Sequence, residues 1–147
     1  MLIRDARDKD LTAVESLLAA SDLPLDGVSE NIAEFLVAED EGEIRGAVGL
    51  ERFGRFALLR SAVVAPPARG SGVGSQLVER LLERAKRQGV EELYLLTTTA
   101  EGYFPRFGFA RTTRADVPDP VKASPEFRGA CPDTAVVMTR RLGKNQS

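Results

Sequence analysis

Val63-Val64-Ala65-Pro66-Pro67-Ala68-Arg69-Gly70-Ser71-Gly72-Val73-Gly74-Ser75 is the stretch on which the reading of this chain turns. An apolar run ends at two prolines, turns through a glycine cluster and opens an amphipathic helix. In that helix Val73, Leu77, Leu81 and Ala85 share one stripe with Val78 and Leu82 beside it, while Glu79, Arg80, Glu83, Arg84 and Arg87 take the other side. Gly89 ends it. Glycines lack the Cβ atoms that would keep an anion from the main chain. The first N–H groups of a helix have no partner within it and carry the positive end of its dipole. Such a turn is a phosphate site, and Arg69 adds a full charge at its rim. A dinucleotide fingerprint would need a third glycine where Ser75 stands, and a P-loop would need a lysine that is not nearby. The plain alternative is a glycine-rich turn with no ligand, which leaves Arg69 and three glycines without a joint reason.

Outward from this stretch, hydrophobic spacing predicts a strand at residues 2–4 and a helix capped by Asp8 or Asp10, with Leu11, Val14, Leu17 and Leu18 on its buried side. A short helix follows at 29–34, with Ser29 as its cap. Strands are expected at 35–39 and 44–50, joined by the turn Asp40-Glu41-Gly42-Glu43, and at 56–64 after a reversal at 52–55. Beyond the glycine helix come a strand at 93–98, a short helix at 101–107 stopped by Gly108, and closing strands at 109–114 and 134–142 separated by a proline-rich loop. Hairpin strands feeding a β-α-β-α-β run argue for an α/β chain with a mixed sheet and helices on its faces. One domain over 1–142 and a flexible tail at 143–147 are expected.

The 147 residues are 43% hydrophobic and 29% charged, enough apolar surface for one core and unlike a disordered, collagen-like or disulfide-stapled chain. A single Cys permits no internal disulfide, and the lack of His excludes Ser-His-Asp and Cys-His catalysis within one chain; no metal site is expected. No apolar run approaches the roughly 18 residues of a membrane span. The charged start MLIRDARDKD is unlike a signal peptide, so a cytoplasmic protein without a membrane partner is the expectation. Residues 1–51 hold 4 basic and 13 acidic side chains, whereas 52–147 hold 16 and 9. The basic part suits a phosphorylated small molecule; without interleaved aromatics, no nucleic-acid partner is expected.

Arg69-Gly70-Ser71-Gly72-Val73-Gly74 fits the pattern Arg/Gln-x-x-Gly-x-Gly/Ala. With Tyr103-Phe104-Pro105-Arg106-Phe107-Gly108-Phe109 downstream, the chain resembles the GNAT acyl-CoA N-acyltransferases from Ile3 to Leu142. Leu58-Leu59-Arg60-Ser61, the run from Leu93 to Glu101, Glu126-Phe127 and Cys131-Pro132-Asp133-Thr134-Ala135 are similar to the short N-acetyltransferases associated with arsenic-resistance operons. Those in turn resemble the acetyltransferase domain of N-acetylglutamate synthases. The resemblance implies a GNAT-type fold, a central and mostly antiparallel sheet splayed between its fourth and fifth strands. It implies acetyl-CoA as co-substrate, with pantetheine along Ala62, Val63 and Val64. The pyrophosphate would rest on the amides of Gly70, Ser71, Gly72, Val73, Gly74 and Ser75, beside Arg69. It also implies direct attack of an amine on the thioester in a ternary complex, with a strand amide facing the oxyanion. A homodimer is common in such enzymes; the open sheet edge and residues 56–60 are its expected surface.

Attack requires an amine relieved of its proton. Without His the candidate bases are carboxylates. Glu51, at the end of the third strand, comes first; its alternative is a solvated strand end. Glu101 fits a helix-dipole carboxylate as well as a base. Many GNAT enzymes carry a Tyr four residues before the Gly of the Gly-Phe pair, proposed to protonate the leaving thiolate. Phe104 stands there and Tyr103 one place earlier, which on a helix turns it about 100° away. Tyr103 is the tyrosine nearest that role, and water can serve a thiol that titrates near about 8.5.

Arg60, alone in an apolar strand, must either reach solvent or pair with an anion, which would be an acceptor carboxylate or a structural Asp or Glu. Ser61 and Thr97 are expected to join it at the acceptor, Arg114 and Arg128 are further candidates, and Cys131 is expected as a small buried residue over the site. The N-acetylglutamate synthases carry an Arg where Pro132 stands here, which argues against glutamate itself. The expected function is acetyl transfer from acetyl-CoA to a small amino acid-like amine, arsenical or phosphinic analogues included. The alternatives are a protein or peptide N-acetyltransferase and a non-catalytic CoA-binding regulatory module.

Overall fold

Apolar alternation in the strands and the stripe of the glycine helix fix most of the architecture. The computed structural model describes residues 1–143; residues 144–147, most of the expected tail, lie outside the described residues. The chain runs β1 (Leu2–Asp5), α1 (Leu11–Ala20), α2 (Val28–Asn31), β2 (Leu36–Asp40), β3 (Glu43–Phe53), β4 (Phe56–Val64), α3 (Val73–Arg87), β5 (Glu92–Thr97), β6 (Ala110–Thr112), α4 (Asp119–Lys122) and β7 (Val136–Arg141). The seven strands form one sheet in the order β1-β2-β3-β4-β5-β7-β6. Every junction is antiparallel except β4–β5, which is parallel because α3 is the crossover between them. No helix among the described residues is long and apolar enough to cross a membrane.

The β4–β5 ladder stops at Leu58↔Tyr94, and beyond it the strands part. On its other side β4 carries a bulge: Ala47 faces Val63 and Gly49 faces Arg60, so β4 holds one residue more than β3. Ser61 absorbs the extra length at φ 59°, a left-handed conformation uncommon outside glycine. A bulge bends its strand and raises its twist, which carries β4 away from β5.

Helices cover both faces. Leu77, Leu81 and Ala85 of α3 pack on Leu36, Ala38, Val48, Leu50, Ala57, Leu59, Leu93 and Leu95. Opposite, Val14 and Leu18 of α1 and Val28 of α2 pack on Val37, Ala47 and Val63, while Val121 of α4 meets Leu58, Tyr94 and Val137. Between them lies Phe35, fully buried, whose ring occupies the place a side chain at position 49 would need. A Cβ on Gly49 would sit 2.3 Å from the Phe35 ring. Gly49→Ala should therefore lower stability by about 1–3 kcal/mol, the range for overpacking a filled core, read as a fall in the urea midpoint at constant slope.

Three expectations need correction. The segment expected as a helix at 101–107 is a turn followed by a 3-10 helix, Phe104–Phe107, with Pro105 near its start. The proline-rich stretch before β7 is not a plain loop: it contains a 3-10 turn (Arg114–Asp116), α4 and a π-type turn (Glu126–Ala130). Each is too short to show a helical period. Residues 56–60 do not offer an association surface, because β4 is the central strand and Ala57, Leu58, Leu59 and Arg60 are buried.

Candidate active site

Parting of β4 from β5 opens a cavity of about 730 Å³. Its walls come from the loop after α1 (Leu23, Pro24, Asp26), from β4 (Arg60, Ser61, Ala62, Val63, Val64) and from β5 with the turn behind it (Thr97, Thr98, Thr99). Tyr103, Phe104, Glu126, Cys131 and Pro132 complete it, and Arg69 stands at one end. Past Leu58 the main chain of β4 has no strand partner on the β5 side, so an extended ligand can pair there. A smaller pocket of about 120 Å³ lies between β4 and α3, lined by Ala47, Ala62, Val64, Gly74, Leu77 and Tyr103 among others.

At the Arg69 end α3 begins on Gly72, held at φ 86°, with no side chain capping it. The first α3 amide to find a helical acceptor is that of Gln76, which donates to the Gly72 carbonyl. The amides of Val73, Gly74 and Ser75 precede it and form the open end of the dipole. A Cβ at Gly70 or Gly72 would meet nothing within 4 Å, so the turn itself is uncrowded. This geometry fits a pyrophosphate. Arg69 is exposed, and its Nε donates to the Val64 carbonyl at 3.1 Å. Gly74 differs: a Cβ there would lie 3.3 Å from the Tyr103 hydroxyl.

Tyr103 does face the cavity. Its main chain is helical (φ −87°, ψ −42°), and the phenol ends 3.3 Å from the Ser75 hydroxyl at the first turn of α3. Phe104 is buried, edge-on to Phe109. Thr97 lines the cavity while its hydroxyl accepts from the Ala100 amide, 2.9 Å, holding the turn after β5. Glu101 is exposed and paired with Arg111.

The other end is charged and buried. Arg60 is 2% exposed. Its Nη1 donates to Glu51 Oε1 at 2.7 Å and its Nε to the Ser61 hydroxyl at 2.9 Å. Nη2 lies 3.5 Å from Glu126 Oε2 and is buried without a hydrogen-bond partner among the described residues. Glu51 Oε1 also accepts from the Ser124 hydroxyl, 2.8 Å. Both readings of Arg60 therefore have a footing: it has a structural counter-ion in Glu51, and one nitrogen is left open. Glu51 is neither a solvated strand end nor a wall of the cavity; it is buried behind Arg60. The backbone of Gly27 packs so closely that a Cβ there would lie 2.9 Å from Arg60 Nη1.

Burial pushes the Glu126 carboxyl up to about 7; nearby Arg60 pulls it back and Glu51 adds to the rise. The Cys131 thiol, half-buried beside it, is pushed up to about 11, chiefly by burial, and is not a nucleophile at neutral pH. Arg114 donates to the Pro132 carbonyl and Arg128 is exposed; neither lines the cavity. Sequence reasoning gave Ser124 and Glu126 no role. The signal available was the Glu126-Phe127 pair, noticed only as part of a resemblance.

Residues 31–111 match the acetyltransferase (GNAT) domain. The chain is 35% identical over 97 residues to an amino-acid acetyltransferase of Ralstonia nicotianae, covering 63% of this chain and 21% of that protein. It thus spans about a fifth of the curated relative. An uncharacterised N-acetyltransferase of Chlorobaculum tepidum is 28% identical over 148 residues, covering 93% of this chain and 95% of its own length. In fold the chain is similar to N-acetylglutamate synthase from Neisseria gonorrhoeae, solved with coenzyme A and N-acetyl-glutamate. The TM-score is 0.83 at 22% identity, over 97% of this chain and 35% of the other.

Proposed function

Because this chain belongs to the acetyltransferase (GNAT) family, we propose that it transfers acetyl from acetyl-CoA to the amine of a small amino acid. The observation that carries the proposal is the continuity of the cavity. One space joins Arg69, at the open end of α3, to buried Arg60. The α3 amides hold the pyrophosphate, the unpaired edge of β4 at Ala62 and Val64 lies along pantetheine, and Arg60 reads the acceptor's carboxylate through Nη2. Acetyl-CoA supplies an activated acyl carbon and a leaving thiol. Ser61 orients Arg60, Thr97 shapes the wall, and Glu51 positions the guanidinium rather than taking a proton from substrate. Tyr103 supports the cofactor beside Ser75. The narrower acceptor class, an arsenical or phosphinic amino-acid analogue, rests on the sequence resemblance around Arg60 and Cys131.

A thiol-release screen tests this with acetyl-CoA and four sets of acceptors: free amino acids, their carboxamides, short peptides and phosphinic analogues. Release that depends on a free amino acid is the expected result. Release with peptides alone makes the protein a peptide N-acetyltransferase. CoA binding without release under any acceptor makes it a regulatory module.

A further inference from the structure

We propose that Glu126 is the group that receives the acceptor's ammonium and takes its proton. This rests on the reading of the chain as an amine acetyltransferase. Three observations bring Glu126 forward over Glu51. It lines the cavity, whereas Glu51 lies behind Arg60. Its carboxylate accepts no hydrogen bond among the described residues, its nearest cation being Arg60 Nη2 at 3.5 Å. Glu51 Oε1 instead accepts from both Arg60 and Ser124. Glu126 is also held in place from its own main chain: its amide donates to the Ser124 hydroxyl at 3.2 Å, and that hydroxyl donates to Glu51.

The charge balance points the same way. Arg60, Glu51 and Glu126 form a buried trio of one cation and two carboxylates. With both acids ionised it carries an uncompensated negative charge in a buried site. The acceptor's ammonium is the group that pairs with this charge at Glu126, while its carboxylate goes to Arg60 Nη2. The other groups facing Glu126 do not: Cys131 of its own segment is a neutral thiol, and Asp26, from the loop after α1, lines the same cavity with a like charge. A carboxyl that burial pushes up to about 7 suits the task, since it is ionised often enough to accept a proton and basic enough to hold one.

One N–H proton of the ammonium moves to a Glu126 oxygen, and the freed lone pair forms the C–N bond to the thioester carbonyl carbon. The C–S bond then breaks, and the second nitrogen proton leaves with the thiolate sulfur. Acetylated amine and thiol are the products, and Glu126 returns its proton to solvent.

The acceptor panel of the screen supplies the probe, with kcat and KM measured from pH 6 to 9. Wild type should show a limb that rises with pH through about 7 as Glu126 ionises. Glu126→Gln should lose that limb and be slower at pH 7 by about a hundredfold or more, the usual worth of a positioned base. Its KM for acetyl-CoA should not move. Its deficit should shrink by roughly tenfold per pH unit as free amine becomes available, and Glu126→Asp should recover part of the rate and keep the limb. A deficit that is the same at every pH, or wild-type activity in the Gln variant, overturns the proposal. If Glu126→Gln does not fold, the wild-type profile decides: a slope set by the amine's own titration alone overturns it. Transfer confined to peptides refutes the amino-acid reading while leaving Glu126 testable on the peptide. Absence of any amine-dependent release refutes both.

Discussion

Valine at position 72 is expected to weaken acetyl-CoA binding by about a hundredfold or more, the worth of one or two charge-assisted hydrogen bonds from main-chain amides to phosphate. Gly72 stands at φ 86° where α3 begins, and a Cβ built there meets no atom within 4 Å. A pyrophosphate held by the amides of Val73, Gly74 and Ser75 would need this open space. A branched side chain takes it up and also strains the turn by about 1–2 kcal/mol, since the left-handed region brings Cβ against the following carbonyl. The two effects separate experimentally. Strain appears in the melting temperature of the free protein, steric exclusion in the calorimetric affinity for CoA. Gly74 offers an internal comparison: its Cβ would press on the Tyr103 hydroxyl and Val64 Cγ2, at 3.3 and 3.4 Å, not on open space. Gly74→Ala should therefore disturb Tyr103 and lose less affinity than Gly72→Val. An unchanged CoA affinity in a folded Gly72→Val protein would remove the phosphate assignment.

The glycine turn and the elements around it were legible in the sequence because their determinants are local. A strand, a glycine turn and an amphipathic stripe lie within residues 56–87, and each was visible from spacing and residue type alone. The cluster around Arg60 was not, because it is assembled by register and by long-range closure. Glu51 meets Arg60 only through the β3–β4 pairing, in which Gly49 faces Arg60 across a bulge at Ser61. No periodicity announces that bulge. Ser124 reaches Glu51 across 73 residues of chain, from a proline-rich segment whose helical turns are too short for a pattern to show. Tyr103 does diverge from its neighbour: Phe104 turns into the core, while the phenol reaches the Ser75 hydroxyl at the first turn of α3. What the sequence did carry at this end was the anomaly itself: a lone arginine in an apolar strand.

That arginine should give the largest change of any single substitution. Arg60→Ala removes the cation between two buried carboxylates, and breaking a buried pair from one side costs about 3–5 kcal/mol. The loss depends on pH, with a sign fixed by Glu126. Its carboxyl titrates near about 7 in the folded protein, above the ordinary 4.5, so its stabilising contribution is present below the ordinary value and fades as pH rises through about 7. Arg60 is what pulls that titration down; without it Glu126 stays protonated to higher pH, and its ionisation becomes more costly. The gap between wild type and Arg60→Ala should therefore widen from pH 5 to pH 8, measured as urea midpoints. Stability alone would not show that Arg60 reads substrate, and Arg60→Lys makes the distinction. A lysine restores a positive charge beside Glu51 and much of the stability, but an ammonium cannot reproduce the separate Nη1 and Nη2 contacts of the guanidinium. If Nη2 receives the acceptor's carboxylate, the Lys variant should fold, keep its KM for acetyl-CoA, and lose about ten- to a hundredfold in its preference for an amino acid over the matching carboxamide. A Lys variant that keeps the full preference would make Arg60 a structural cation only. The carboxylate would then have to be read elsewhere, with Arg114, which donates to the Pro132 carbonyl beside the cavity wall, the next residue to replace.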